Sequence, residues 1–215
     1  NNFGYTVEMV HEGSGGFKLL DNGGDTGFER SEFVLKSELF SSPLHTVEMK
    51  LGYSQEDSRE TYLGLSRDDF ASTPYRRYAA SALGEMRWSR TQAELRWRLS
   101  PSPSFEVETV AYHHWLDRSW NKFNRFAGGI DLHDTLMAAD PSGSEAVYLA
   151  ILRGDEPTTT ADQVLLIGNN HRTFQNFGLQ SNAFWAFGNN NIRHDISMGA
   201  RLHADLVSRV HTEVQ

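Results

Sequence analysis

The sequence predicts an all-β, antiparallel fold of the transmembrane β-barrel type, and three observations favour it. The first is segment 193–206, where polar residues such as Arg193 and Arg201 alternate with apolar residues such as Ile196 and Leu202. A period of two indicates a strand, because successive side chains of a strand point to opposite faces. Globular strands average about 5 to 6 residues, whereas a strand that crosses a bilayer needs roughly 9 to 11. The length therefore favours a membrane-spanning strand.

The second observation is that the same alternation recurs along the chain. In segment 47–54, for example, Val47, Met49 and Leu51 face away from Glu48 and Lys50. The other alternating segments are 3–9, 32–39, 92–99, 105–115 and 177–185. Together with segment 193–206, they predict about seven strands.

The third observation is that short and long connections alternate strictly. Short turns rich in Ser, Pro, Gly and Asn lie at 41–45, 100–104 and 188–191. The long connections, which we predict to be extracellular loops, lie at 12–26, 55–84 and 117–170. Short turns at one rim and long loops at the other are typical of outer-membrane barrels. We assign residues 1–215 to one partial barrel.

Composition excludes several classes of protein. The chain has 215 residues and no cysteine, so it has neither a disulfide framework nor a thiolate metal site. A net charge of −8 without a basic run argues against nucleic acid as a partner. The longest apolar run, 146–152, is too short for a transmembrane helix. No nucleophile motif of the Gly-x-Ser-x-Gly kind occurs, so we expect the protein not to be an enzyme.

One part of the chain carries a family resemblance. Segment 60–86 reads ETYLGLSRDDFASTPYRRYAASALGEM and leads into the predicted strand RWSRTQAELRWRLS at 87–100. This resembles TonB-dependent outer-membrane receptors of the ferric citrate and ferric siderophore type. The specific match covers 60–99, and the layout of strands and loops covers the whole chain.

The resemblance implies a barrel of about 22 strands around a plug domain that contacts TonB. Nothing in the chain reads as a plug, and it begins with Asn1 and ends without a terminal aromatic residue. We therefore expect an internal slice of a receptor barrel. The implied setting is the bacterial outer membrane, with lipid outside the wall. The implied cargo is a ferric chelate, with no covalently bound cofactor.

The predicted ligand contacts fall in two places. Tyr75, Arg76, Arg77 and Tyr78 lie together in the second loop, and arginine binds anionic oxygens through paired hydrogen bonds. The alternative is that Arg76 and Arg77 pair with Asp68, Asp69 or Glu85 and only order the loop. Salt bridges within loops are common, so we favour this alternative.

The second place is the fifth strand, with Tyr112 and His114 on its polar face. Neighbouring His113 points to the opposite face, so the two histidines cannot easily share one metal ion. We expect no metal bound by the protein itself. Charged residues of the polar faces, among them Arg96, Arg98 and Glu108, are expected to pair across strands along a wet lumen.

Three functions remain open on the sequence. The first is part of a TonB-dependent receptor that imports a ferric chelate. The second is a passive porin or an adhesion barrel, which would share the strands and the aromatic rows. The third is a soluble β-sandwich that binds carbohydrate through its long loops.

Overall fold

The computed structural model describes residues 2–138 and 142–215 of the chain. Its strands are β1 (Phe3–Ser14), β2 (Leu19–Leu20), β3 (Phe28–Ser42), β4 (His45–Ser58), β5 (Arg76–Arg77), β6 (Glu85–Ser102), β7 (Phe105–Phe126), β8 (Leu165–Gly188) and β9 (Arg193–Val214). Seven of them form one antiparallel sheet in the order β1-β3-β4-β6-β7-β8-β9. Each strand of this sheet pairs with its neighbours along the chain, so the all-β antiparallel prediction is confirmed.

The connections alternate between short turns at one end of the sheet and long loops at the other. The turns are residues 43–44, 103–104 and 189–192, and the loops are residues 15–27, 59–84 and 127–164, of which 139–141 lie outside the described residues. The loops predicted at 12–26, 55–84 and 117–170 therefore include the ends of strands. The largest difference is at β7 and β8, which run past the predicted boundaries to Phe126 and from Leu165. Just beyond the predicted strand ends both faces are mostly polar, as at Asn169 and Asn170, and the apolar residues nearer the cap, such as Phe123 and Phe126, do not alternate, so periodicity no longer marks the strand.

The loops contain helices that strand periodicity did not predict. They are α1 (Arg67–Ser72), α2 (Leu132–Met137) and α3 (Ser144–Arg153). The side chains of Ser66 and Asp131 accept hydrogen bonds from the first turns of α1 and α2, and Gly154 ends α3 in a left-handed conformation with φ of 81°. Within the apolar run 146–152, Tyr148, Leu149, Ile151 and Leu152 are buried, whereas Val147 is exposed.

The three loops pack together into one layer, which we call the loop cap (the described residues of 15–27, 59–84 and 127–164). Its apolar core joins α2, α3 and the second loop to the end of β7. Phe126 and Leu152 are 0% exposed, and the Phe126 ring meets the Tyr148 ring edge-on at 4.6 Å between centroids. The other buried members are Tyr78, Ala80, Phe123, Leu136, Leu149 and Ile151. The cap therefore has a core like that of a small soluble domain.

The first and second loops are also joined by backbone pairing. β2 and β5 form a two-stranded parallel sheet in which Leu19 lies opposite Arg76 and Leu20 opposite Arg77. Beyond the sheet and its loops, the described residues contain no second domain, and none of their helices is long and apolar enough to span a membrane. β1 and β9 are the edges of the sheet, and each has one neighbour.

Candidate functional site

The two faces of the seven-stranded sheet differ in chemistry. Register shifts occur only near the strand ends, so through the middle of the sheet residues directly opposite one another share a face, as Lys50, Glu94 and Tyr112 do. We call this the charged face, and its members include Glu48, Lys50, Glu94, Arg96, Arg98, Glu108, Tyr112, His114, Arg201, His203 and Asp205. The opposite, apolar face includes Leu35, Met49, Leu51, Ala93, Leu95, Ala111, Leu179 and Leu202.

Arginines of the charged face pair with acids on neighbouring strands. Arg96 on β6 lies 3.8 Å from Glu48 on β4 and 3.9 Å from Glu108 on β7. Arg98 contacts the same Glu108 at 3.3 Å and Glu106 at 3.7 Å. The predicted cross-strand pairing is confirmed for these two arginines. Exposed pairs of this kind contribute little stability, about 0 to 1 kcal/mol each.

Tyr112 is the centre of a hydrogen-bond network on the charged face. Its hydroxyl lies 2.6 Å from His203 Nδ1 on β9, and Arg201 donates to it from Nε at 3.1 Å and from Nη2 at 2.8 Å. His203 Nε2 lies 2.9 Å from an Asp205 oxygen. If the His203 ring donates from Nε2, Asp205 fixes its tautomer and leaves Nδ1 to accept the Tyr112 proton.

A glycine makes this network possible. Gly178 on β8 lies between Tyr112 and His203 in the register, and a Cβ atom there would stand 2.5 Å from the Tyr112 hydroxyl. Without a side chain at this position, the Tyr112 ring reaches across β8 to β9. His114 lies two residues away on the same face, with its ring 5.8 Å from the Tyr112 ring. The structure thus brings together the two strand residues predicted as ligand contacts.

The four predicted loop residues have different environments. Tyr75 is 61% exposed and packs edge-on against Phe17, with centroids 5.8 Å apart. Arg76 Nε donates to both carboxylate oxygens of Asp21, at 2.9 and 3.0 Å, and its Nη1 donates to Asp69 at 3.0 Å. Of these two side chains, Tyr75 and Arg76, only Tyr75 exposes most of its surface to solvent.

Arg77 and Tyr78 are inside the cap. Arg77 is 4% exposed, and its guanidinium donates to Ser81 Oγ and to the carbonyl oxygens of Arg59, Ser81 and Gly84. Burial, with the nearby positive charge of Arg59, lowers the pKa of Arg77. Tyr78 is 1% exposed and donates to Asp69, and its burial and this hydrogen bond raise its pKa. Both side chains therefore stabilise the conformation of the second loop.

Asp69 is the residue on which all three loops converge. It binds Arg76 of its own loop, which also reaches Asp21 of the first loop, and it accepts from Nε and Nη2 of Arg153 in α3 at 2.9 and 2.8 Å. Burial alone would raise the pKa of Asp69, but the hydrogen bonds from Tyr78 and Arg153 outweigh it, and the pKa lies below 3.8. The pairing of Arg76 with Asp69 is the alternative favoured by the sequence.

The sequence did not single out Arg153 or His203, although each completes a network. Arg153 lies 84 residues from Asp69, and His203 lies 91 residues from Tyr112. The only local signal was that His203 falls on the polar face of its strand. Among the described residues, no group of three or more His, Asp or Glu side chains is placed to hold a metal ion.

Comparison with known proteins rests on structure alone. No protein-family model and no curated protein matches the sequence. Fourteen chains of solved structures match the fold, among them the ferric citrate transporter FecA in its unliganded form. That alignment has a TM-score of 0.65 at 14% identity and covers 98% of this chain but 25% of FecA. The chain therefore spans about a quarter of that neighbour, and its sheet is similar in fold to that part of it.

Proposed function

We propose that this chain is part of the β-barrel of an outer-membrane receptor that imports a ferric chelate, either a siderophore complex or ferric citrate, with energy delivered by TonB through a plug domain. The fold likeness to FecA supports a transporter barrel of this type. The cargo, TonB and the bacterial outer membrane come from the resemblance of segment 60–99 and from the name of the structural neighbour.

The observation that carries the proposal is an apolar band between two aromatic rows on one face of the sheet. The upper row contains Phe33, Tyr53 and Trp115, and the lower row contains Phe105 and Trp185. Trp115 and Phe105 are ten residues apart on β7, which at about 3.3 Å per residue and a tilt of about 40° corresponds to a height of about 25 Å. This matches the apolar belt of outer-membrane barrels.

Exposure of the band supports contact with lipid. Leu95, Leu179 and Leu202 are 50%, 47% and 75% exposed. Within the described residues, the buried apolar side chains lie in the cap or at the adjoining strand ends, and none lies between the aromatic rows. A soluble sandwich would cover this face with a second sheet, so the band favours a membrane barrel over the carbohydrate-binding sandwich.

The edges of the sheet support a larger barrel. β1 and β9 each leave one side of the backbone unpaired, and an unpaired peptide group in hydrocarbon costs several kcal/mol. Seven strands therefore need further strands to close the wall. In the closed barrel the charged face lines the lumen.

Among the predicted contacts, we assign ligand binding to Tyr75, Tyr112 and His114. Tyr75 offers an exposed ring at the cap, and Tyr112 and His114 share the charged face. Arg76, Arg77 and Tyr78 make their hydrogen bonds inside the cap, so we assign them to the support of the loop.

The experiment is iron uptake under iron limitation, in cells that contain or lack the gene and in a TonB-deficient background. We expect uptake of one labelled ferric chelate to disappear when either the gene or TonB is absent. Uptake of every chelate at normal rates without the gene would contradict the proposal. Uptake that needs the gene but not TonB would favour the passive porin.

A further inference from the structure

Two histidines lie on the apolar face at the turn end of the sheet. His45 is the first residue of β4 and His194 is the second residue of β9, so each directly follows a short turn. Because side chains alternate along a strand, His45 shares a face with Leu51, and His194 shares the same face with Leu202. Both histidines are therefore on the side opposite the charged face. We call the apolar-face residues beside the turns the turn rim, and they are His45, Trp97, Leu99, Phe105, Trp185, Phe187 and His194.

A hydrogen bond determines which ring nitrogen of His45 carries a hydrogen. Trp97 Nε1 donates to His45 Nδ1 at 3.3 Å, and the two rings stack at 12° with their centroids 5.9 Å apart. An indole N–H can only donate, so Nδ1 accepts and carries no hydrogen. In a neutral imidazole the hydrogen is then on Nε2. His45 therefore offers one N–H donor to its surroundings.

His194 is positioned by aromatic packing. It lies directly opposite Phe187 in the register, and the two rings are 5.1 Å apart at 31°. Phe187 in turn lies 4.7 Å from the Trp185 ring. The His194 side chain is exposed, and a histidine always carries a hydrogen on at least one ring nitrogen. The turn rim thus presents two N–H donors, each packed against an aromatic ring.

The acids of this face are confined to the other end of the sheet. On the loop side of the upper aromatic row, the outward residues include Glu29, Asp57, Glu85 and Asp117. From that row to the turns, the described part of this face contains no Asp or Glu. Anionic oxygens bind N–H donors and are repelled by carboxylates. The charge distribution therefore fits a phosphate at the turn rim.

The surroundings of the turn rim identify the source of that phosphate. In the proposed barrel, the rim lies where the apolar band ends, at the membrane–water interface that aromatic side chains favour. The phosphate groups at this depth belong to lipid headgroups. Further strands would pair with the edges β1 and β9, whereas His45 is on β4, the third strand from one edge. Added strands would thus extend the wall beside His45, and lipid would remain its neighbour.

We propose that the turn rim binds two glycerophospholipids through their phosphate groups, one at His45 with Trp97 and one at His194 with Phe187. Four strand spacings, roughly 19 Å, separate β4 from β9, so a single headgroup does not reach both histidines. The acyl chains lie along the apolar band. The proposal rests on the membrane barrel of the proposed function and not on the import of iron.

The test compares lipids with and without a phosphate on the intact protein purified in detergent. Native mass spectrometry measures the binding of dimyristoylphosphatidylglycerol and of dimyristoylglycerol, which has the same acyl chains but no phosphate. Inorganic phosphate is added as a competitor. We expect the phospholipid to bind about 10- to 100-fold more tightly than the diacylglycerol, because it adds a charge-assisted hydrogen bond. Inorganic phosphate should not displace it.

The variants separate the donor from the ring. His45→Phe and His194→Phe keep an aromatic ring for packing but lose the N–H donor, and each should weaken the binding of one phospholipid by about 10-fold. His45→Gln restores a donor without the ring and should recover most of the affinity. His133→Phe is the matched control, because His133 is exposed on α2 in the cap, and it should stay within about twofold of the wild type.

Three outcomes would overturn the proposal. They are equal affinity for the phospholipid and the diacylglycerol, unchanged phospholipid binding in a variant that carries both His45→Phe and His194→Phe, and displacement of the phospholipid by inorganic phosphate. The last would identify a soluble anion as the ligand. Because the lipids contain no iron and a passive porin would have the same rim, lipid binding can hold even where the uptake experiment excludes iron import. The two failures are therefore distinguishable.

Discussion

The loop cap and the apolar band between the aromatic rows use apolar side chains in opposite ways. In the cap, Phe126 and Leu152 are fully buried against other protein atoms, while in the band Leu179 and Leu202 are 47% and 75% exposed. The cap needs close internal packing because water surrounds it. In the proposed barrel the band needs none, since lipid is as apolar as leucine. Each region should therefore be destabilised by a different kind of substitution.

The largest effect should come from the cap core. Phe126→Ala removes a fully buried ring that packs on Tyr148, and we expect a loss of about 3 to 5 kcal/mol in the stability of the cap. Hydrogen exchange and limited proteolysis would detect it in α2 and α3. Phe70→Ala is the control, because Phe70 is 63% exposed in the same cap. Equal protection in both variants would show that the cap has no cooperative core.

The second effect concerns the charge at the centre of the cap. Asp69→Asn keeps the size of the side chain but leaves Arg153 without its acid, which should cost about 3 kcal/mol, the low end for a buried pair because the arginines are partly exposed. Proteolysis of α3 would measure it. Asp68→Asn, at an exposed position one residue earlier, should change little. Similar rates of cleavage in the two variants would argue against Asp69 as the link between loops.

The same carboxylate predicts a pH dependence. The pKa of Asp69 is lowered in the folded cap, so its contribution to stability is fully present above the ordinary value of 3.8 and is lost as the pH falls through the lower, folded value. The cap should keep its protection from neutral pH down to about 4 and lose it only in stronger acid. Hydrogen exchange in α3 as a function of pH would measure this. A loss already between pH 7 and 5 would point to a different group.

In the proposed barrel, the apolar band should be most sensitive to the introduction of a charged side chain. Leu179→Arg should destabilise the folded barrel by about 2 to 4 kcal/mol in lipid, because Leu179 lies between the aromatic rows. Gln180→Arg, one residue along β8, places the same charge on the charged face and should cost far less. Unfolding by denaturant in lipid vesicles would compare them. If Gln180→Arg were the more destabilising of the two, the proposal that the apolar face contacts lipid would be wrong.

The smallest effect should come from the network on the charged face. Tyr112→Phe removes the hydroxyl that joins Arg201 to His203, at an expected cost of about 1 kcal/mol, since lumen water replaces the lost partner. Tyr5→Phe is the control, because Tyr5 is 71% exposed on the opposite face. The melting temperature in detergent is the readout. A loss of stability above about 3 kcal/mol would show that the network is shielded from water.

Sequence periodicity predicted the band well and the cap poorly. Strands such as 193–206 carry their own signal, because a sheet with one apolar and one charged face imposes alternation on every pair of residues. Above the aromatic rows the strands carry polar residues on both faces and then enter the core of the cap, so polarity stops alternating and β7 and β8 were predicted too short. The core of the cap depends on contacts between distant segments, as in Phe126 with Tyr148, and no local pattern records them.

The residues of the candidate site also divide into those that local spacing could place and those that it could not. Tyr112 and His114 could be placed on one face from their spacing alone, whereas their partners on β9 depend on the register of three strands. Arg77 stood out in the sequence, but its hydrogen bonds are with backbone carbonyls and the Ser81 hydroxyl of its own loop.

The pairing of β2 with β5, together with the links of Asp69 to Arg76 and Arg153, has a consequence for motion. Isolated surface loops move independently within nanoseconds to microseconds, whereas packed bodies move collectively over roughly microseconds to milliseconds. Because backbone pairing and ion pairs join all three loops, one loop cannot lift without breaking bonds to the others. In the proposed barrel, the three loops should therefore move together as one slow unit rather than one at a time.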